Sequence, residues 1–346
     1  MKILALDLGN FKSVACAYDT QSTKHEFETI VSSKEALRDL LLEQRPDRVV
    51  IEVCPLAGWV CDVVRELGIA MQVASTNERS WRWRNVKRKS DRRDGLKLAH
   101  KSALGDLKLV HIPERELRQW RALINYRQQL VRRQTKIKNH IRSLLVRENL
   151  AWVRGKKGWT VEALRTLEKW ARPLSKVSKD ELWRGELAVE LEALVGMARL
   201  LRQVEKKLDR LGKANEQVQL LQSAAGVGPR LSEALVALID DAGRFRNGKE
   251  VGPYLGLVPK QWQSGETDRL GRITHQGNRV VRALLVEASW AGLRYNRWMR
   301  EIYERVRRGS KARRKIAIVA VARRLLIRCW AMLRDGTRWR EIPCAA

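Results

Sequence analysis

Four carboxylates near the N-terminus have the types and settings for phosphoryl-transfer chemistry. Asp7 closes the apolar run KILALDL, and Glu52 lies near the end of a second run, RVVIEV. Asp91 and Asp94 open a predicted helix, where i, i+3 spacing puts both on one face. Carboxylates delivered from neighbouring strand ends and one helix can converge on Mg²⁺, a hard ion that takes oxygen ligands and stabilises charge at phosphorus. A simpler reading makes Asp91 and Asp94 the first turn of a solvated helix capped by Ser90. Asp7 and Glu52 favour the metal, because a carboxylate ending each of two apolar strands has no packing role. In KRKSDRRDGLK the neighbours Lys87, Arg88, Arg92 and Arg93 would hold a phosphate backbone against such a cluster.

Three later segments carry further candidates. QSAAGVGPRLSEALVALI, residues 222–239, reads as two helices joined by Gly226-Val227-Gly228-Pro229. In a helix-hairpin-helix of this kind, Gly226 and Gly228 would let the backbone approach a phosphate at the next helix N-terminus. Residues 256–290 place Ser264 before Gly265 and follow with Arg269, Arg272, His275, Asn278, Arg279 and Arg282. Chemistry alone leaves Ser264 one serine among many, with a turn-forming role the simpler reading. RVRRGSKARRK, Arg305–Lys315, has seven basic residues and no acid, including Arg307, Arg308, Arg313 and Arg314, and reads as a phosphate-contacting patch. Trp81 and Trp83 alternate with Arg82 and Arg84, which suits stacking on unpaired bases. Trp290 and Trp330 read as core residues.

The elements that must position these groups follow from periodicity. Strands at 2–8, 13–18, 24–31, 48–53 and 69–74, with helices at 34–43 and 56–67, predict an α/β domain with a mixed sheet. Glu114–Asn149 is helical and basic, with Arg132, Arg133 and Lys136 on its surface, and Leu117, Ile124, Leu130, Ile137, Ile141, Leu144 and Leu145 on an apolar stripe. Glu181–Leu211 is a second long helix that could pair with it as an antiparallel arm. Residues 151–180 read as a connector, and a compact unit begins near Leu220.

Composition bounds the partners. The 346 residues carry 69 Lys and Arg against 39 Asp and Glu, a formal charge of +30, with 44% hydrophobic residues. That supports a folded core and calls for a polyanionic partner, nucleic acid before membrane. No run approaches the ~18 apolar residues of a membrane span, and MKILALDLGN has none of the parts of a signal peptide. Five irregularly spaced cysteines, with no Cys-x-x-Cys pair, indicate neither zinc nor a disulfide framework and suit a reducing cytoplasm.

Taken together and in order, ALDLGN, VVIEVCPLAGWV, KSDRRDGLKLA, AAGVGPRLSEALVALI and the block from YLGLVPKQWQSG through GRITHQGNRVVRALL resemble the DEDD-type insertion-sequence transposases, the bridge-RNA-guided recombinases. The resemblance covers nearly the whole chain. It implies a RuvC-like, RNase H-like α/β domain over 1–110, a helical coiled-coil arm that binds RNA over 111–215, and a mainly α transposase domain over 216–346. It implies Asp7, Glu52, Asp91 and Asp94 as Mg²⁺ ligands and Ser264 as a DNA nucleophile forming a phosphoserine link. It further implies donor and target DNA and a structured noncoding guide RNA as partners. The assembly would be a tetramer, a dimer of dimers, in which the acidic cluster of one protomer faces Ser264 of another, in a prokaryotic cytoplasm at the nucleoid. Two positions depart from the family pattern: Glu52 is followed by Val53-Cys54-Pro55, and Thr274 stands where a serine is usual.

Two other classes share part of this set. A metal-dependent junction nuclease of RuvC type would use the four carboxylates and water, and make no use of Ser264. A non-catalytic nucleic-acid-binding protein would have no need of four carboxylates held together.

Overall fold

The structure, a computed structural model of the chain, describes residues 1–75 and 90–340. These form two compact units, Met1–Gln119 and Trp120–Ala346.

The first unit is built on a five-stranded sheet. Strands β1 (Lys2–Leu8), β2 (Lys12–Asp19) and β3 (His25–Val31) form an antiparallel meander. After α1 (Lys34–Gln44), β4 (Arg48–Glu52) joins the other edge of β1 in parallel, and after α2 (Ala57–Glu66), β5 (Ala70–Ala74) adds parallel to β4. The order is β3-β2-β1-β4-β5. Alternation along the central strands sends side chains to both faces. Leu4, Leu6, Val49 and Ile51 pack with Leu37, Leu40 and Leu41 of α1 and Val60, Cys61 and Val64 of α2. Ile3, Ala5, Cys16 and Val50 pack on the opposite face with Leu98 and Ala99 of α3 (Asp91–Ala103). A strand buried on both faces must be apolar throughout, which is why β1 and β4 read as continuous runs.

The division between the units falls within α4 (Arg115–Arg147). In the second unit α4 and α6 (Leu182–Lys213) run antiparallel: Arg127 pairs with Glu205 at 2.6 Å, and Arg147 with Glu186 at 2.7 Å. The segment expected to be a mere connector instead folds into α5 (Val161–Trp170), flanked by two short 3₁₀ turns. It closes the end of the arm with an apolar cluster of Ile141, Leu144, Leu145, Leu167, Leu187 and Leu191, surrounded by Trp152, Trp159, Trp170 and Trp183. Tryptophans dispersed in a polar sequence became a core because the chain reverses there and needs apolar area to close.

The rest of the second unit comprises α7 (Glu216–Gln222), α8 (Pro229–Ile239), α9 (Gly248–Tyr254), the hairpin β6 (Pro259–Ser264) and β7 (Thr267–Ile273), α10 (Arg279–Gly292), α11 (Arg297–Arg307) and α12 (Arg314–Asp335). Every residue of α8 from Leu231 to Ile239 is buried, and α12 buries ten residues from Ala317 to Leu333. The C-terminal apolar helix is therefore an interior helix of this unit. Trp330 is core as expected, its indole N–H donating to the Ala242 carbonyl at 2.9 Å. Trp290 is not core: it is 38% exposed, with the Arg314 guanidinium 5.8 Å from its ring centre. The sequence predicts a mainly helical unit, and the β6–β7 hairpin is an addition to it. Among the described residues no helix is long and apolar enough to cross a membrane.

Candidate catalytic and nucleic-acid-binding site

Asp7 and Glu52 each stand one residue beyond Leu6 and Ile51, the last registered pair of β1 and β4. By strand parity both belong to the face that carries Ala5 and Val50, the face covered by α3. Three contacts fix how α3 crosses that face. A Cβ on Gly95 would stand 3.4 Å from Cys16 Cβ, opposite Ala5; His100 meets Tyr18 edge-on at 4.8 Å, opposite Ile3; and the Ser102 carbonyl accepts from Arg48 at 3.3 Å. Successive residues of α3 thus step back along β1, so its first turn, with Asp91 and Asp94, lies toward the strand end that holds Asp7. Ser90 caps this helix, its hydroxyl accepting from the Arg93 amide at 3.4 Å. Capping and site assembly coexist here, since the cap fixes where the turn begins.

The donors are all carboxylate oxygens, the ligand type that suits Mg²⁺. Their spacing falls short of a finished centre: among the described residues no three His, Cys, Asp or Glu side chains are close enough together to hold a metal ion. The structure brings the acidic residues to one end and one face of the sheet without closing them around a point. Arg92 and Arg93 are exposed on the same first turn, and the Arg92 guanidinium lies 5.7 Å from the Phe27 ring centre. Arg82, Arg84, Lys87 and Arg88, with Trp81 and Trp83, lie outside the described residues.

Ser264 occupies the last position of β6, paired across the hairpin with Thr267. Gly265 and Glu266 form a two-residue loop, and Gly265 takes φ 55°, which the first residue of a II′ turn requires and glycine supplies without strain. Residues 260–270 are all exposed, so the serine is presented to solvent at the tip of a two-stranded ribbon. The signal for this hairpin was present in the sequence as six residues, a Gly-x pair and seven residues, but its polar strands carry no buried face to betray them. Trp262, two residues before Ser264, is a feature that sequence reasoning passed over. It is 58% exposed and pairs with Arg269 on the facing strand.

The two glycines of the α7–α8 turn have different surroundings. Gly226, at φ 96°, faces inward: a Cβ there would stand 2.7 Å from the Gly292 Cα of α10. Its lack of a side chain lets the turn pack closely on α10. Gly228 is different, with nothing within 4 Å of its Cβ position, and leaves the α8 N-terminus open. Two guanidinium groups close the other end of α8, Arg121 donating to the Ala237 and Leu238 carbonyls and Arg244 to those of Leu238 and Ile239.

The remaining basic candidates fall on exposed faces. Arg132, Arg133 and Lys136 are exposed on α4, and Arg272 and Arg279 on β7 and α10. In the Arg305–Lys315 patch, Arg308 is the left-handed cap of α11 and is exposed, as is Arg314. Arg307 is engaged within the fold, 3.0 Å from Glu304 and over the Tyr303 ring, and Arg313 is half-buried at the start of α12. Three buried cysteine thiols are not reactive candidates. Burial pushes Cys16 and Cys61 up to about 11 and Cys329 to about 12, which keeps them protonated.

Two family models match the chain in order. Residues 4–149 match the family model of DEDD transposases of the IS110 type, and residues 218–304 match that of the IS116/IS110/IS902 transposase family. A probable family 20 transposase of Pseudomonas aeruginosa is 29% identical, covering 88% of this chain and 89% of its own length. The transposase for insertion sequence element IS1111A of Coxiella burnetii is 27% identical over 100% of this chain and 92% of its own. A pilin gene-inverting protein of Moraxella lacunata is 27% identical over 35% of this chain and 38% of its own. With both models matched in order, one over the sheet and its acidic end and the other over the helical unit and its serine hairpin, the chain belongs to the IS110/IS116 family of transposases, enzymes that cut and transfer DNA strands.

Proposed function

We propose that this transposase cuts and rejoins DNA through a covalent link at Ser264, with Asp7, Glu52, Asp91 and Asp94 holding Mg²⁺ and a structured noncoding RNA selecting the DNA. The observation that carries this reading is the pairing of two placements. The acidic residues are directed to one end of an ordered sheet, and the serine stands exposed at a hairpin tip, with Arg269 on the same face of the facing strand. The order β3-β2-β1-β4-β5, antiparallel then parallel, supports an RNase H-like scaffold for the first unit.

In this reaction the Ser264 oxygen attacks phosphorus, the bond from phosphorus to one sugar oxygen breaks, and the serine proton passes to solvent or a neighbouring base. The leaving sugar oxygen takes up a proton. A hydroxyl of the other strand then reverses the step on the phosphoserine, so the phosphodiester is restored with no nucleotide cofactor. Bound Mg²⁺ would supply charge stabilisation at the phosphate oxygens. Exposed Arg272 and Arg279 sit within reach of a strand laid along the second unit's surface, and phosphate contacts of this kind position a duplex without reading its sequence. Selection of the DNA therefore falls to base pairing with RNA. The assembly proposed is a tetramer, read by light scattering of the protein with RNA and DNA.

The test uses purified protein, RNA transcribed from the noncoding flank of the element, Mg²⁺ and end-labelled donor and target DNA. The expected result is an RNA-dependent protein–DNA adduct that survives denaturing electrophoresis in wild type and is lost in Ser264→Ala and Asp7→Ala. Cleavage without an adduct, undiminished by Ser264→Ala, would replace this reading with hydrolysis by a junction nuclease.

A further inference from the structure

Trp262 and Ser264 are i, i+2 on β6 and so share one face of the hairpin. Directly across from them on β7 stand Arg269 and Thr267. Next on that face comes Gly271, and a Cβ there would collide with the six-membered ring of Trp262. The indole therefore lies down over the bare backbone of the neighbouring strand. The six-membered ring sits against Gly271, and the side chain is 58% exposed. A large aromatic that is ordered by a glycine seat, yet not buried, is a stacking platform rather than a core residue. The residue directly across from the indole is cationic, the exposed Arg269, whereas Asp268 belongs to the opposite face of the hairpin, where it accepts from Gln261 at 2.9 Å.

We propose that Trp262 is a base-stacking subsite, receiving an unpaired DNA nucleobase adjacent to the phosphate that Ser264 attacks, with Arg269 beside it to contact the flanking phosphate. This rests on the reading of Ser264 as nucleophile. Successive nucleotides of a strand are spaced on the same scale as an i, i+2 step along β6, so a base on the indole would leave its neighbouring phosphate at the hairpin tip. The bases of an intact duplex are closed to the indole, so the subsite selects DNA that has been opened at that step. Stacking of a base on an aromatic side chain contributes ~1–3 kcal/mol, a factor of roughly 5 to 150 in binding.

The experiment places 5-iodouracil, a photo-crosslinker of aromatic side chains, one position at a time across the DNA junction in the full protein–RNA–DNA mixture. Mass spectrometry then locates the crosslinked peptide. One position is expected to crosslink to Trp262, in wild type and equally in Ser264→Ala. Trp262→Phe keeps the crosslink, whereas Trp262→Ala and Gly271→Ala, which displaces the ring, lose it. On paired DNA, Trp262→Ala is expected to lower adduct yield ~10-fold, and a mismatch at the crosslinking position restores most of it. If wild type forms the adduct but Trp262 never crosslinks, or if Trp262→Ala matches wild type on paired DNA, the subsite is refuted. If Ser264→Ala still forms the adduct while the crosslink to Trp262 persists, the nucleophile assignment fails and the stacking site stands.

Discussion

The Glu233 carboxyl occupies the space that a side chain on residue 212 would need: a Cβ on Gly212 would stand 2.7 Å from Glu233 Oε1. Glu233 is 1% exposed in α8, and Gly212 lies on α6, so the two helices meet around a buried acid. Arg230 approaches it at 3.3 Å and also pairs with Asp209, while Arg127 and Glu205 lie further along the same seam. Desolvation dominates over Arg230 and pushes the Glu233 carboxyl up to about 7.

A pH dependence of stability follows. The unfolded chain ionises this group near the ordinary 4.5 and the folded chain only near 7, so the folded state holds the extra proton between them. The favourable contribution is complete below about pH 4.5 and declines as pH rises through about 7. At ~1.4 kcal/mol per pKa unit, the decline is about 3 kcal/mol. Glu233→Gln should flatten this part of the profile, as read by melting temperature from pH 4.5 to 8, and a variant with an unchanged slope would remove Glu233 as its source.

Arg121 should be a stability residue rather than a DNA contact. Its guanidinium is largely desolvated and donates to two main-chain carbonyls at the end of α8, at 3.0 Å for Leu238. Hydrogen bonds from a charged donor are worth ~1.5–3 kcal/mol, and their loss takes the guanidinium partner from the Ala237 carbonyl, while Leu238 keeps Arg244. Arg121→Met should lower unfolding free energy by about 2–4 kcal/mol in urea titration, with the salt dependence of DNA binding unchanged.

The end of the arm should open locally. Leu167 is fully buried in the cluster that α5 brings to the ends of α4 and α6. Leu167→Ala should cost ~2–5 kcal/mol through the cavity it leaves. Hydrogen exchange is expected to quicken across 150–190 and to stay unchanged at β1 and β4, because the two regions share no core. Equal acceleration in both would show that the chain unfolds as one unit.

The Arg305–Lys315 patch should reveal itself in salt. Lys311, in the α11–α12 turn, and Lys315, in the first turn of α12, are exposed. If each neutralises one phosphate, each change to Ala reduces the slope of log affinity against log salt by ~0.9 for duplex DNA, without sequence preference. Arg307→Ala should act differently, disturbing its contacts to Glu304 and Tyr303 and so lowering stability.

Much of the first unit was legible along the chain. The strands and helices of 2–74 fall within one or two residues of their expected bounds, and for β1 and β4 the reason is that a strand buried on both faces must be an apolar run, with charges only near its ends. The same rule exposed Asp7 and Glu52. The two long helices were equally legible, since an apolar stripe on a basic background has one periodicity. What the sequence could not carry was anything set by contact between distant segments. That Gly226 packs against Gly292, 66 residues away, is one such contact. The tryptophans of 152–183 look dispersed until the arm turns and gathers them. Ser264 and Trp262 gave no periodic signal, because an exposed two-stranded ribbon buries neither face; only the facing strand, with Gly271 beneath the indole, orients them. Local pattern reports which surface of an element is buried, whereas the partner across a packed interface is chosen by the path of the whole chain. For that reason the sequence by itself determined the elements of the first unit, the two long helices and the acidic candidates, and the tertiary structure alone decided which glycines pack, which tryptophans are core, and what stands beside the serine.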